Sequence, residues 1–189
     1  MKTAAVVLGG VLLCAPGMAR AEPLFPLFKT FCSETRAEPK AALAAADKAS
    51  WSPIPKSMIA AFKLGGSEVT DADGRMTTTP DGFEAMIVAH AKESGLEPGH
   101  EASICAVAFS MADLAAVKAE AAEFAAVEAS PGAIKDGSAT VYAWRDKDGR
   151  RERVVVSDIE AIPNDPNISI LMAGSAGAAT LLAFIVPSK

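Results

Sequence analysis

The chain has 189 residues, half of them apolar, and its 23 acidic residues outnumber its 18 basic ones. This length and apolar content are enough for one domain with a sizeable core. A formal net charge of −5 gives no general attraction to nucleic acid, and the sequence has no basic stripe interleaved with aromatic residues. We therefore exclude nucleic-acid binding.

Residues 1–21 have the features of a secretory signal peptide. Lys2 gives a positive start, residues 4–15 form an apolar run, and residues 19–21 (Ala-Arg-Ala) fit the small-residue cleavage rule. Cleavage there removes two bases and no acid, which changes the net charge from −5 to about −7. The sequence thus predicts one globular domain over residues 22–189 in a periplasmic or secreted protein.

A lipoprotein is the alternative for the N-terminus, because Cys14 lies within the apolar run. Leu13 occupies the position where lipid attachment requires a small residue, and a conventional cleavage site follows. Cleavage after Ala21 is the prediction that we retain.

Cys32 and Cys105 remain in the mature chain and are predicted to form a disulfide, because exported proteins mature where disulfides persist. On a helix, Phe25, Phe28 and Cys32 share one face. A period of two places Cys105 on an apolar face of a central strand over residues 103–109. The alternative is two separate buried thiols. Neither cysteine has the sequence context of an activated nucleophile.

Pro39 suits the first position of a second, alanine-rich helix. Prolines at positions 53 and 55 exclude helix there, and Trp51 is interpreted as a core or lid aromatic. A Phe-rich helix with one Cys, an Ala-rich helix and a Trp-x-Pro turn together resemble small exported proteins of unknown function from proteobacteria. The resemblance covers the first third of the mature chain and implies no activity.

The pattern Asp-x-Asp-Gly occurs at residues 71–74 and again at residues 146–149. Neither copy has the further ligands of a helix-loop-helix calcium site, so no calcium binding is predicted. Asp-Gly between strand-like segments is typical of a hairpin turn, since Gly tolerates a positive φ. Both copies are interpreted as turns.

Residues 83–91 are compatible with a helix or a strand. Asp81 and Glu84 resemble a capping box, whereas β-branched residues favour a strand. We favour the strand, because the segment at 103–109 needs hydrogen-bonding partners. His90 and His100 lack regular ligand spacing and are interpreted as surface residues, so no metal site is predicted.

A long central helix is predicted directly after the Cys105 strand. Ser110 suits the N-cap with Asp113 completing a capping box, and Phe109 is placed to pack on Leu114 as a hydrophobic staple. Pro131 stops the helix. The core-facing stripe at helical spacing is Leu114, Val117, Ala121 and Phe124.

Residues 140–145 and 151–156 flank the second Asp-Gly turn and predict a β-hairpin. The hairpin concentrates five bases in nine residues: Arg145, Lys147, Arg150, Arg151 and Arg153. One hypothesis is a binding site for an anionic envelope component, with Tyr142 and Trp144 adding planar contacts. The alternative is a solvated tip and a charged edge that discourages aggregation.

Residues 168–186 carry no charge and by length alone could cross a bilayer as a helix. Their strongest apolar residues lie at the two ends, whereas the middle is small and contains Gly174 and Gly177. This distribution favours two buried strands with a tight connection that extend the sheet. A membrane anchor, in which the small residues pair helices in lipid, is the alternative.

Taken together, these patterns predict an α+β fold with N-terminal helices and one long central helix packed on a mainly antiparallel sheet. No nucleophile elbow, zinc helix or phosphate loop is present, so no catalytic residue, metal or cofactor is predicted. We expect an exported, non-catalytic domain that binds an envelope partner or ligand. A small exported enzyme with a site assembled from distant residues is the alternative.

Overall fold

The computed structural model describes residues 24–59, 69–80, 82–92, 101–134, 137–156 and 167–187. The predicted signal peptide with its cleavage site and His100 lie outside these residues.

Short helices and eight strands make up the described part of the chain. The helical elements are α1 (Leu24–Phe28), a π-helical turn (Lys29–Ser33), α2 (Pro39–Lys48), α3 (Lys56–Ile59) and α4 (Leu114–Ala125). The strands are β1 (Ser52–Pro53), β2 (Val69–Thr79), β3 (Gly82–Lys92), β4 (Glu101–Phe109), β5 (Ala139–Lys147), β6 (Arg150–Arg153), β7 (Ile168–Ala176) and β8 (Ala179–Pro187).

The strands form one sheet in the order β1-β2-β3-β4-β8-β7-β5-β6, and every neighbouring pair is antiparallel. The structure is therefore α+β with an antiparallel sheet, as predicted. Residues 83–91 are strand and pair with β4 through contacts such as Val88 with Cys105. The prediction of a strand for this segment is confirmed.

Both faces of the sheet are apolar. The largest core lies between one face and the helices α1, α2 and α4 with the π-helical turn, and we call this the helix face. On this helix face, Val88, Cys105 and Val107 are fully buried beneath α1, the π-helical turn and α2. On the opposite face, Ile87 and Ile104 are also buried. β4 thus buries both sets of its alternating side chains, which is why its sequence is a continuous apolar run.

Helix α4 has 12 residues and packs on β5, β7 and β8 at the helix face, so the prediction of a long central helix is wrong. Its N-cap is Asp113, whose carboxylate accepts from the Ala115 amide at 2.9 Å, rather than Ser110. Ser110 instead bonds Phe83: its hydroxyl oxygen accepts from the Phe83 amide at 3.1 Å, and its own amide donates to the Phe83 carbonyl at 3.2 Å. This pairing continues the β3–β4 ladder by one residue and delays the helix.

Residues 71–74 are part of β2, so the turn predicted there is wrong. The strand contains a bulge between Thr70 and Asp73, and Asp71 takes a positive φ of 53°. Gly74 is needed because of close approach: a Cβ on it would lie 2.7 Å from the carbonyl oxygen of Met86. The second copy of the pattern is a turn as predicted, with positive φ at Asp148 and Gly149.

Residues 168–186 form the β7–β8 hairpin, which turns at Gly177 with a φ of 62°. None of the helices among the described residues has the length and apolar character needed to span a bilayer. The two strands are inserted between β4 and β5, at the middle of the sheet. The hairpin was predicted correctly, but it joins the two halves of the sheet rather than extending an edge.

Candidate ligand-binding cleft

Cys32 and Cys105 form a disulfide that attaches the N-terminal helical segment to β4. Their sulfur atoms are 1.97 Å apart and their Cα atoms 5.3 Å apart, and both side chains are fully buried. Cys32 lies in the π-helical turn. The bond therefore fixes the end of this helical segment, and the residues after it, above the helix face of the sheet.

An aromatic cluster continues the core from the disulfide towards β5. Phe28 contacts Phe124 and Phe184 edge to face, with ring centroids 5.3 and 5.8 Å apart. Trp144 is nearly parallel to Phe184 at 6.1 Å and lies 6.2 Å from Phe124. Because these rings come from α1, α4, β5 and β8, the cluster holds the helices to the sheet.

Arg151 lies across the end of this cluster. Its guanidinium carbon is 4.5 Å from the centre of the Trp144 ring and 4.9 Å from that of Phe124. Its Nη1 donates to the backbone carbonyl of Phe124, and its Nε lies 3.9 Å from a carboxylate oxygen of Asp146. The guanidinium is thus held by groups from two elements, α4 and β5.

Strand alternation separates the five bases of the hairpin into two groups. Trp144 is opposite Arg153, and Asp146 is opposite Arg151, so these residues lie on the helix face. The opposite face carries the remaining bases, Arg145, Lys147 and Arg150, together with Glu152. The single basic cluster seen in the sequence is therefore two smaller surfaces that face apart.

Several of these bases already have partners within the chain. Arg153 lies 3.1 Å from a Glu128 carboxylate oxygen and donates to the Ala129 carbonyl at 2.7 Å. Lys147 lies 3.6 Å from Glu152. Of the five bases, Arg151 is the one that lines the cleft described next.

The cleft has a volume of about 130 Å³ and lies between the end of the N-terminal helical segment and the sheet. Arg36 stands on the rim opposite the hairpin, and its side chain is exposed and forms no ion pair with another described residue. The residues that line the cleft are Ser33, Arg36, Phe124, Trp144, Asp146, Arg151, Ser169, Phe184 and Val186.

Arg36 reaches the cleft because of the backbone that follows the π-helical turn. Arg36 and Ala37 both have left-handed φ values, 53° and 55°, which reverse the chain before α2. The Ala37 amide donates to the Cys32 carbonyl at 2.7 Å, so the reversal is fixed next to the disulfide. Sequence reasoning missed Arg36, since no local motif marks a left-handed Arg.

The floor of the cleft changes from apolar to polar where the helical cover ends. Ser169 is opposite Trp144 and is only 7% exposed, and Ser103 is opposite Val186 and equally buried. The neighbouring row contains Cys105 and the aromatic Phe184. The row that contains Trp144 and Val186 thus also carries two serine hydroxyl groups, of which that of Ser169 lines the cleft.

A larger groove of about 380 Å³ lies on the other side of Phe124, between α1 and α4. It is lined by Phe25 and Lys29 opposite Glu120 and Glu123, and the Lys29 ammonium lies 5.0 Å from the Phe25 ring centre. The charged lining of this groove is one cation and two carboxylates, so it is net negative. The Arg36–Arg151 cleft is smaller, but its charged lining is two cations and one carboxylate, so we treat it as the candidate anion site.

His90 lies on β3 opposite Ser103. Within the described residues, no three His, Cys, Asp or Glu side chains come together as metal ligands. Tyr142 is buried below α4, where its hydroxyl donates to the Lys118 carbonyl at 3.3 Å, and desolvation raises its pKa above 10.0.

Comparisons with protein-family models, with curated proteins and with solved structures give no significant match.

Proposed function

We propose that this chain is an exported, non-catalytic domain that binds a small anionic ligand in the cleft between Arg36 and Arg151. One observation carries the proposal: two arginines from distant parts of the sequence line the same cleft. Arg36 is positioned by the disulfide-linked turn and Arg151 by two aromatic rings. The Arg151 side chain is therefore preorganised, and a preorganised cation binds an anion at low entropic cost.

The exported location rests on two features that agree with each other. The N-terminal residues match the pattern of a signal peptide, and the structure contains a disulfide. Disulfides form and persist in oxidising compartments and are rare in the cytosol of most cells. These features support a periplasmic or secreted protein.

A local positive site in an acidic chain favours selective recognition of an anion. The full chain carries a net charge of −5, so an anion is repelled at long range from most of the surface. Around the cleft, the charged lining residues are Arg36, Arg151 and Asp146. The charged lining of the cleft is therefore net positive, and a bound anion gains charge-assisted hydrogen bonds there.

Thermal denaturation in the presence of small ligands tests this function. We expect small anions, and not small cations, to raise the Tm of the mature protein at constant ionic strength. Arg36→Asn should remove the stabilisation, because it deletes one cation while Asn tolerates the left-handed backbone at φ 53°.

Arg150→Gln is the matched control, since it removes the same charge from the opposite face of the hairpin. An anion-dependent Tm shift that survives Arg36→Asn, or that is lost equally in Arg150→Gln, would contradict the assignment of the cleft.

A macromolecular envelope component is the second candidate, and the exposed tip of the hairpin favours it. Lys147 and Arg150 pair across the turn on the face opposite the cleft. Electrostatic docking there predicts salt-sensitive binding to envelope fractions. Changing both residues to Gln should weaken that binding while Arg36→Asn leaves it unchanged, and the reverse pattern would rule the tip out.

A further inference from the structure

The geometry points to hydrogen phosphate as the ligand of the cleft between Arg36 and Arg151, in preference to sulfate. By hydrogen phosphate we mean inorganic phosphate, which keeps at least one hydroxyl group at neutral pH. Sulfate has the same tetrahedral shape but carries no proton there. The inference rests on the proposed anion-binding function and names the ligand class of the same site.

The size and lining of the cleft favour a small polar ligand. Its volume of about 130 Å³ is below the roughly 300–1,000 Å³ of pockets that hold drug-sized compounds. The aromatic rings beneath Arg151 offer little accessible surface, since Trp144 is 1% exposed and Phe184 is 6% exposed. The polar groups of the lining include the Arg36 guanidinium, two serine hydroxyls and one carboxylate. The cleft is therefore suited to recognise its ligand by hydrogen bonds rather than by apolar contact.

Ser169 supplies a donor that the described chain does not use. It is only 7% exposed, and strand alternation places it on the helix face, where it lines the cleft. Its hydroxyl forms no hydrogen bond with any other described residue. A hydroxyl in this position is satisfied from the cleft, by water or by a ligand. Together with the Ser33 hydroxyl and Arg36, it gives the cleft donors from two distant segments of the chain.

Asp146 supplies an acceptor in the same lining. The Arg151 Nε lies 3.9 Å from one of its carboxylate oxygens, which is beyond hydrogen-bond distance. The Asp146 carboxylate accepts no hydrogen bond from the part of the chain that the structure describes. A carboxylate accepts hydrogen bonds and donates none. A ligand that contacts Asp146 favourably must therefore bring its own donor.

Hydrogen phosphate matches both kinds of group. Its deprotonated oxygens accept from Arg36 and from the serine hydroxyls, and its own hydroxyl donates to Asp146 in a charge-assisted O–H···O⁻ bond. Sulfate has only acceptors at neutral pH. One of its oxygens would face the Asp146 carboxylate without a proton between them, and the two negative groups would repel each other. The proton of the ligand thus decides between two ions of the same shape.

Calorimetric titration of the mature chain with inorganic phosphate and with sulfate tests this assignment. Both titrations are carried out at constant ionic strength and mildly alkaline pH, where both ions are mainly dianions and only phosphate carries a proton. We expect phosphate to bind saturably and about tenfold or more tightly than sulfate, because sulfate exchanges one charge-assisted hydrogen bond for a repulsion.

Asp146→Asn should remove this preference, because the amide group donates as well as accepts and carries no charge. We expect the two ions to bind this variant within about twofold of each other. Asp148→Asn is the matched control, since it removes the same charge from the adjacent turn, where Asn tolerates the left-handed φ of 51°. It should leave the ratio of the two affinities unchanged. Ser169→Ala should weaken both ions by about tenfold, because it removes a donor that both would use.

The possible results separate this inference from the proposed function. Sulfate binding as tightly as phosphate, with both weakened by Arg36→Asn, would overturn hydrogen phosphate and retain the anion site. A preference for phosphate that persists in Asp146→Asn, or that is lost equally in Asp148→Asn, would likewise overturn the role of Asp146 and retain the anion site. Phosphate binding that is unchanged in both Arg36→Asn and Ser169→Ala would overturn both, because the ion would then lie elsewhere. Absence of saturable binding by either ion would also overturn both.

Discussion

Breaking the disulfide between Cys32 and Cys105 should remove a large fraction of the stability. The two residues are 73 positions apart, and closing a loop of this length restricts the unfolded chain by about 4.4 kcal/mol in the chain-entropy treatment. Domains of this size are stable by about 5–15 kcal/mol, so the loss is between about 30% and 90% of the total. Both sulfur atoms are fully buried, which keeps the bond protected from solvent reductants until the core opens.

Urea unfolding of the oxidised protein, of the reduced protein and of the Cys32→Ala, Cys105→Ala double variant measures this effect. The reduced protein keeps every sulfur atom, so its difference from the oxidised form isolates the crosslink from the cavity that alanine leaves. We expect the reduced form to lose about 4 kcal/mol and to show a larger m-value, because its unfolded state is more expanded. A loss below about 1 kcal/mol with an unchanged m-value would refute the reasoning.

Three further substitutions test the local architecture. Asp113→Ala should lower the free energy of unfolding by about 1 kcal/mol, because it removes the N-cap hydrogen bond of α4. Urea unfolding measures this loss, and an unchanged midpoint would contradict the assignment of Asp113 as the cap. Gly74→Ala should lower the free energy of unfolding by about 1–3 kcal/mol, because the new Cβ would lie 2.7 Å from the Met86 carbonyl oxygen. An unchanged free energy of unfolding would show that β2 and β3 can move apart at this point without loss of stability. Tyr142 is the only tyrosine, so its absorbance titration should have a midpoint above 10.0 in the folded protein and near 10 in denaturant. Its raised folded pKa contributes stability below pH 10 that is lost as the pH rises through the folded pKa, and Tyr142→Phe should remove that part of the pH dependence.

Elements with local periodicity were predictable from the sequence. The alternation in residues 103–109 and the Asp148–Gly149 turn lead directly to β4 and to the β5–β6 hairpin. Pro39 likewise marks the start of α2, where the Glu38 carboxylate accepts from the amides of the first turn. In these cases the favoured local conformation and the tertiary structure agree.

The start of α4 could not be decided locally, because two acceptors compete for the cap. Ser110 and Asp113 are three residues apart, and each is a good N-cap residue. The Phe83 amide on β3 decides between them by bonding the Ser110 hydroxyl. A partner so distant in sequence leaves no trace in the helix pattern.

The two copies of Asp-x-Asp-Gly also show that a local sequence pattern does not by itself decide the structure. At residues 146–149 the pattern forms the turn that its composition favours, whereas at residues 71–74 it lies within a strand. The difference comes from β3 and from the residue that follows β1, since the Met86 carbonyl and Ile54 approach Gly74 so closely that a side chain would not fit. Glycine is required there for space and not for a turn.

The cleft was predictable only in part. The sequence indicated a basic hairpin with Trp144 nearby, and Arg151 does line the cleft. It gave no reason to pair Arg151 with Arg36, because that meeting depends on the disulfide, the left-handed turn and the position of β8 together. Nor did composition reveal that strand alternation directs Lys147 and Arg150 to the other face.

The place of the β7–β8 hairpin between β4 and β5 delays completion of the sheet until the last described strand. β4 pairs with β8 from Ala102 opposite Pro187 to Phe109 opposite Thr180, so one edge of β4 stays open until the last described strand arrives. Cys32 and Cys105 both precede that strand, and their oxidation can anchor the helical segment while the edge is still exposed. A chain that is threaded across a membrane from its N-terminus therefore carries an apolar, unpaired β4 edge for as long as translocation of the C-terminal hairpin takes. Under the proposed export, such an exposed edge favours pairing with another chain during that interval.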